Sequence, residues 1–204
     1  MLLINILLVD DHVLFSKSLE IALSDYPEIK NFKSINDISL LDKFIEEDAP
    51  DILLMDINLK NIASEDGLEL AKRILYNHPE QKIVILSGYD LPVYRNEAKK
   101  IGAKGFINKN TEPEKLIAFL SQIMQGKFIF NGSIPFLEEL TDCEKQILQL
   151  IADGRKRKEI ALTLYISERT LSNHLQHIFE KLDVSSSVEA VTKAIQLGYL
   201  PPIC

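Results

Sequence analysis

Residues 4–12, Ile4-Asn5-Ile6-Leu7-Leu8-Val9-Asp10-Asp11-His12, decide the fold. A short apolar run stops at two adjacent carboxylates. A run of this length without polar alternation is a strand buried on both faces, as in a parallel sheet. Ile52–Met55, followed by Asp56, and Ile83–Leu86, followed by Ser87, share that character. Weaker runs lie near Phe32–Ile35 and Gly105–Ile107, the latter followed by Lys109. Between them lie helical periods: Phe15, Leu19, Ala22, Leu23 and Tyr26 make one stripe, and Leu116, Ile117, Leu120, Ile123 and Met124 another. Thr111 and Glu114 have capping-box spacing for the second of these helices, with Pro113 in its first turn. Strands alternating with helices predict an α/β domain over residues 1–125, a five-stranded parallel doubly wound sheet.

The acidic residues fall at the carboxyl ends of predicted strands: Asp10 and Asp11 after the first, Asp56 after the third. That edge of an open α/β sheet is where ligands bind. Carboxylates gathered there repel one another unless a cation joins them, and hard oxygen donors suit Mg²⁺. Ser87 and Lys109 end neighbouring strands. Three carboxylates, a hydroxyl and an ammonium are what a carboxylate nucleophile attacking a phosphoryl group requires.

After Gln125 the chemistry changes. Residues 126–139 contain Gly126, Asn131, Gly132, Ser133 and Pro135, which mark a linker, interleaved with Phe128, Ile129, Phe130, Ile134 and Phe136, which predict partial docking. From Leu140 no strand pattern remains. Thr141 with Glu144, Ser167, and Ser186 with Glu189 mark helix starts, and Gly154 and Gly198 mark stops. Residues 140–204 therefore read as a small all-α domain of four helices, the middle pair joined by a tight turn, which is a helix-turn-helix.

At Ile6–His12, Leu53–Asn58, Ile85–Ser87 and Gly102–Lys109 the chain resembles the receiver domain of two-component response regulators. The resemblance implies that Asp56 is the phosphoacceptor. It implies that Asp11, Asp56 and the Asn58 carbonyl hold Mg²⁺ with Asp10 alongside, that Ser87 bonds the phosphoryl group, and that Lys109 pairs with it. Phe106 matches the aromatic switch of that family. His12 reads as a loop residue, and Tyr89 as a surface residue placed to screen water. One departure stands out. The family's proline and glycine, four and eight residues after the acceptor, are here Lys60 and Ser64, and the matching glycine is Gly67. The loop from Asn58 to Asp66 is thus about three residues longer than the family's and lacks its stiffening proline.

The C-terminal segment resembles the helix-turn-helix of the LuxR/NarL/FixJ class, at Leu140-Thr141, Glu144, Lys158–Ala161, Ile166–Glu168, Thr170, His174, Ile178 and Lys181-Leu182 among other positions. The recognition helix falls at about residues 168–182. With Leu171, Leu175, Ile178 and Leu182 facing the core, Arg169, Asn173, Gln176, His177 and Glu180 face out. The resemblance places base reading on Ser172, Asn173 and Gln176; Asn and Gln suit adenine because each can bond N6 and N7 together. Arg155, Lys156, Arg157 and Lys158 precede and open the first helix of the pair, which crosses the DNA backbone in this motif. With Arg169, Thr170, His177 and Lys181 they complete the expected DNA-facing set.

The net charge of −7 divides into −5 over residues 1–137 and −2 over residues 138–204, so composition alone argues against nucleic acid. The cations are concentrated locally instead, which predicts weak intrinsic affinity and dependence on dimerisation. Cys143 and Cys204 have no metal or redox spacing and read as free thiols of a cytoplasmic protein. No apolar stretch reaches the roughly 20 residues of a membrane span. No phosphate-cradling glycine loop accompanies the carboxylates, which argues against a metabolic enzyme. The expected function is a transcription regulator that receives phosphate from a sensor histidine kinase, dimerises when active, and binds a double-stranded operator of two half-sites. Two alternatives stay open: a DNA-binding regulator indifferent to phosphorylation, and a protein-interaction module with a weakened DNA face.

Overall fold

The computed structural model describes residues 3–59, 61–130 and 139–200. The chain forms two compact units, one of residues 1–90 and 94–133 and the other of residues 91–93 and 134–204.

The first unit carries a parallel sheet of six strands: β1 (Ile4–Val9), β2 (Ile29–Ile35), β3 (Ile52–Asp56), β4 (Lys82–Ser87), β5 (Gly105–Asn108) and β6 (Ile129–Phe130). Their order is β2-β1-β3-β4-β5-β6. Five helices connect them: α1 (Val13–Leu23), α2 (Leu41–Asp48), α3 (Gly67–Asn77), α4 (Pro92–Lys100) and α5 (Pro113–Met124). The central strands are apolar throughout because both sheet faces are covered. Leu7, Val9, Leu53, Met55, Ile83, Ile85 and Phe106 join Leu41, Ile45, Leu70 and Ile74 in one core. The alternate residues Ile6, Leu8, Ile52, Leu54, Val84, Leu86 and Ile107 join Leu23, Leu116, Leu120 and Ile123 in the other. Each such side chain contributes about 1.5–3 kcal/mol on burial.

Two expectations for this unit are corrected. A sixth strand extends the five expected, and it lies in the predicted linker. Ile129 and Phe130 pair in parallel with Gly105 and Phe106. The docking expected from the linker's apolar residues therefore takes the form of backbone pairing. Thr111 and Glu114 form no capping box. Glu112 is the N-cap of α5, with Pro113 at the first helical position as expected. The Glu114 carboxylate instead bonds its own backbone N–H and the Tyr26 hydroxyl.

The second unit consists of α6 (Asp142–Ala152), α7 (Arg157–Thr163), α8 (Glu168–Leu182) and α9 (Ser187–Leu197). Thr141 and Glu144 close the predicted capping box on α6. Ser167 caps α8 by accepting from the Thr170 N–H. On α9 the box is only half made. Ser186 accepts from the Glu189 N–H, but Glu189 reaches one residue further back, to the N–H and hydroxyl of Ser185. The core joins Ile147 and Leu148, Ile160 and Ala161, Leu171, Leu175, Ile178 and Leu182, and Ala190 and Ala194. Most of Val191–Leu200 packs in or against this core: Ala194 and Leu200 are buried within it, and Val191, Ile195, Leu197 and Tyr199 lie against it. Cys143 is a free thiol; Cys204 lies outside the described residues. Among the described residues no helix is long and apolar enough to cross a membrane.

Candidate functional site

The register of the sheet builds the site. Asp56 ends β3 opposite Leu86, and Ser87 ends β4 opposite Asn108. The Lys109 N–H donates to the Ser87 carbonyl at 2.9 Å, which fixes where the lysine leaves β5. Asp10 and Asp11 leave β1, between β2 and β3, where the chain order reverses. Asp10 and Asp56 are buried, and the Asp11 side chain is 1% exposed.

Lys109 Nζ lies 2.7 Å from Asp10 Oδ2 and 2.9 Å from Asp56 Oδ2, and 4.7 Å from the centre of the Phe15 ring. Burial pushes the Asp56 carboxyl above the ordinary carboxylate range. Lys109 opposes that rise, Asp10 adds to it, and the Asn58 N–H opposes it. Asp10 Oδ2, Asp11 Oδ1 and Asp56 Oδ2 are buried and accept no well-directed hydrogen bond. One ammonium faces three buried carboxylates, so the pocket has spare oxygen donors and uncompensated negative charge. Hard oxygen donors with excess negative charge fit a divalent cation.

Sequence reasoning missed two participants. His12, read as a loop residue, places Nδ1 2.6 Å from Asp11 Oδ1, 3.3 Å from Asp10 Oδ1 and 3.8 Å from Asp56 Oδ2. Its backbone N–H also donates to Asp10 Oδ1. Asn61, in the lengthened loop, donates its side-chain amide to Asp11 Oδ2 at 2.8 Å. His12 had a signal in its position beside the acidic pair. Asn61 had none, because it is 50 residues from its partner.

Ser87 is buried, and its hydroxyl donates to the Tyr89 carbonyl at 2.9 Å while accepting from the Tyr89 N–H at 3.1 Å. Tyr89 itself is exposed, as expected. Phe106 is buried in the core shared with α2 and α3. The Asn58 side chain is exposed, and its backbone N–H bonds Asp56.

In the second unit Arg155, Lys156, Arg157 and Lys158 are all exposed around the start of α7. Arg169, Thr170, Ser172, Asn173, Gln176 and His177 are exposed on α8. The Gln176 amide donates to Glu180 Oε1 at 3.0 Å, and the Ser172 hydroxyl donates to the Glu168 carbonyl. Lys181 departs from the expected set. Its ammonium lies 2.8 Å from Glu144 Oε2 and donates to the Glu139 carbonyl at 3.0 Å, so it is engaged within the domain. Burial works against an ionised Glu144, but Lys181 and the Thr141 donors outweigh it and hold the carboxyl below the usual range. The turn between α7 and α8 passes through Tyr165 at φ 54°, with its ring almost fully exposed. A tyrosine in this left-handed conformation is uncommon, and no sequence signal marked it.

A buried acidic pocket with a lysine at the edge of a doubly wound sheet, followed by a helix-turn-helix unit, defines a signal receiver joined to a regulatory output domain. Comparison with known proteins agrees. The response regulator receiver domain matches residues 6–121, and the luxR family of bacterial regulatory proteins matches residues 138–194. Transcriptional regulatory protein DesR of Bacillus subtilis is 35% identical over 163 residues, covering 76% of this chain and 78% of its own length. A nitrate/nitrite response regulator homologue of Haemophilus influenzae is 31% identical over 203 residues, covering 92% of this chain and 94% of its own. Among solved structures, RcsB of Salmonella enterica serovar Typhimurium bound to promoter DNA shares the fold. Its TM-score is 0.69 and its identity 21%, over 93% of this chain and 97% of that one. The chain belongs to the two-component response regulators with a LuxR-type output domain. It is a phosphorylation-linked DNA-binding regulator, a signal transducer and not a metabolic enzyme.

Proposed function

We propose that Asp56 accepts a phosphoryl group and that this modification controls DNA binding by α8. The observation that carries the reading is the convergence of Asp10, Asp11 and Asp56 on one buried pocket closed by Lys109. A carboxylate oxygen of Asp56 attacks the phosphorus of a donor, forming an acyl phosphate as the donor's bond to phosphorus breaks. The donor is a sensor histidine kinase or a small acyl phosphate. Lys109 pairs with the phosphoryl oxygens. Ser87 exchanges its bond to the Tyr89 carbonyl for one to the same group, and Phe106 follows as the aromatic switch. Asp11, Asp56 and the Asn58 carbonyl would hold Mg²⁺, with Asp10 beside it. Bound there, Mg²⁺ neutralises charge on the phosphoryl oxygens.

In the output domain Ser172, Asn173 and Gln176 face base edges in the major groove. Arg155, Lys156, Arg157, Lys158, Arg169, Thr170 and His177 face phosphates and the groove wall. Two copies on a two-half-site operator supply the affinity that a domain of net charge −2 lacks alone. RcsB, which shares this fold, has been solved as dimers bound to DNA.

Intact-mass measurement with acetyl phosphate and Mg²⁺ tests the trigger. Wild type should gain one phosphoryl group and Asp56→Ala none. Genome-wide footprints of the two proteins should differ. The lengthened loop after Asp56 favours a second reading, DNA binding indifferent to phosphorylation, and identical footprints would decide for it.

A further inference from the structure

The loop between Asp56 and α3 is where this receiver departs from its family's pattern, and the function proposed above leaves it unused. It is well anchored. Leu59 is fully buried, and the N–H groups of Ile62 and Ala63 both donate to its carbonyl, at 2.9 and 2.8 Å. Ile62 and Ala63 pack against the core beneath the sheet. At the far end Asp66 caps α3, and Glu65 pairs with Arg73 through Nε at 3.2 Å and Nη2 at 2.8 Å. From this turn Asn61 reaches Asp11. Its side-chain amide donates to Oδ2 at 2.8 Å, and its backbone N–H approaches the same oxygen at 3.4 Å. Asp11 Oδ1, the other oxygen, is buried within the carboxylate pocket, where its near neighbour is Nδ1 of the half-exposed His12 at 2.6 Å, a ring free to swing aside for a cation.

We propose that Asn61 is a positioning residue that makes the pocket selective for Mg²⁺ over Ca²⁺. The inference rests on the reading of Asp10, Asp11 and Asp56 as a cation site. By occupying Oδ2, Asn61 leaves Asp11 a single oxygen for a cation. One oxygen suits the small octahedral shell of Mg²⁺, whereas Ca²⁺ takes more oxygens and accepts carboxylates through both. Holding the carboxylate in one orientation also removes rotational freedom that binding would otherwise have to freeze. Partners that orient metal ligands in this way are typically worth about 10–100-fold in affinity. The lengthened loop then restores, through a hydrogen-bonded turn, the order that the absent proline would have given.

The test is calorimetric titration of the full chain with MgCl₂ and with CaCl₂, in wild type and Asn61→Ala. Asn61 is exposed, so the variant is expected to fold. Thermal melting in metal-free buffer checks this. Loss of Asn61 should weaken Mg²⁺ binding about tenfold. Ca²⁺ binding should hold or tighten, because Asp11 regains its second oxygen. At saturating Mg²⁺ the rate of phosphorylation by acetyl phosphate should match wild type, while the Mg²⁺ concentration giving half that rate rises. Equal weakening of both cations, or no change in either, overturns the role of Asn61 and leaves the cation site standing. Absence of Mg²⁺ binding by wild type overturns the site and the role together.

Discussion

Gly67 stands so close to Asp56 that a Cβ on it would lie 1.7 Å from the Asp56 carbonyl oxygen and 2.7 Å from its carbonyl carbon. The obstacle is backbone, which cannot swing aside as a side chain can. The glycine is therefore required by a close approach between the start of α3 and the end of β3. The Gly67 N–H also donates to the Ile57 carbonyl at 2.9 Å. Gly67→Ala should push the Asp56 backbone out of register with Leu86 and carry its carboxylate away from Lys109. The expected result is a loss of about 1–3 kcal/mol in urea unfolding, in the range of overpacked interiors. Acetyl phosphate labelling should slow at least tenfold. Labelling at the wild-type rate would show that Asp56 tolerates the shift.

Asp56→Asn should make the metal-free protein more stable. Three buried carboxylates share one ammonium, and like charges at such separations disfavour full ionisation. Replacing Asp56 with a neutral isostere removes a charge that burial, and then Asp10, already disfavour. Adding Mg²⁺ should reverse the order, because wild type gains a ligand that the variant holds poorly. Melting curves with and without Mg²⁺ measure both effects, and a variant less stable than wild type in metal-free buffer would contradict them.

Lys181 and Glu144 give a pH-dependent contribution to the second unit. The Glu144 carboxyl titrates below its ordinary range in the folded protein. A group depressed in this way stabilises the fold at every pH above its unfolded value of about 4.3. That contribution is lost as pH falls through the lower folded value. Glu144→Gln should therefore show a flatter loss of stability between about pH 5 and pH 3. Lys181→Met leaves a buried carboxylate without its partner and should cost about 3 kcal/mol, the low end for such a change. The double variant should recover part of that loss.

These residues also show what the sequence could and could not reveal. Asp10, Asp56, Ser87 and Lys109 were legible because each ends an apolar run, and parallel strands bring such ends to one edge. The helix-turn-helix was legible because Leu171, Leu175, Ile178 and Leu182 keep a helical period beside a capping serine. β6 was not, because two residues of apolar linker resemble a docked coil until their backbone partners are known. Asn61 and Lys181 were hidden for a different reason. Each is a polar side chain whose partner lies 37 or more residues away, and periodicity carries no information about such pairs. The Thr111–Glu114 box failed because α5 starts one residue later than that spacing requires, with Glu112 as its N-cap, so Glu114 falls at the second helical position.

The pairing of Lys181 with Glu144 yields a prediction for the DNA interface. A cation that neutralises a DNA phosphate releases counterions and adds about 0.9 to the slope of log affinity against log salt. Arg155, Lys156, Arg157 and Lys158 are exposed around the start of α7, so neutralising any one that touches phosphate should lower the slope by about that amount. Lys181 is engaged by Glu144 and the Glu139 carbonyl. Lys181→Met should therefore leave the slope unchanged wherever the domain stays folded. Gln176→Ala and Asn173→Ala should show another signature: about 1–3 kcal/mol less discrimination at single base positions, with the slope kept. Salt titrations on operator and scrambled duplexes separate the three behaviours. A Lys181 variant that loses slope while its melting temperature holds would return that residue to the DNA face.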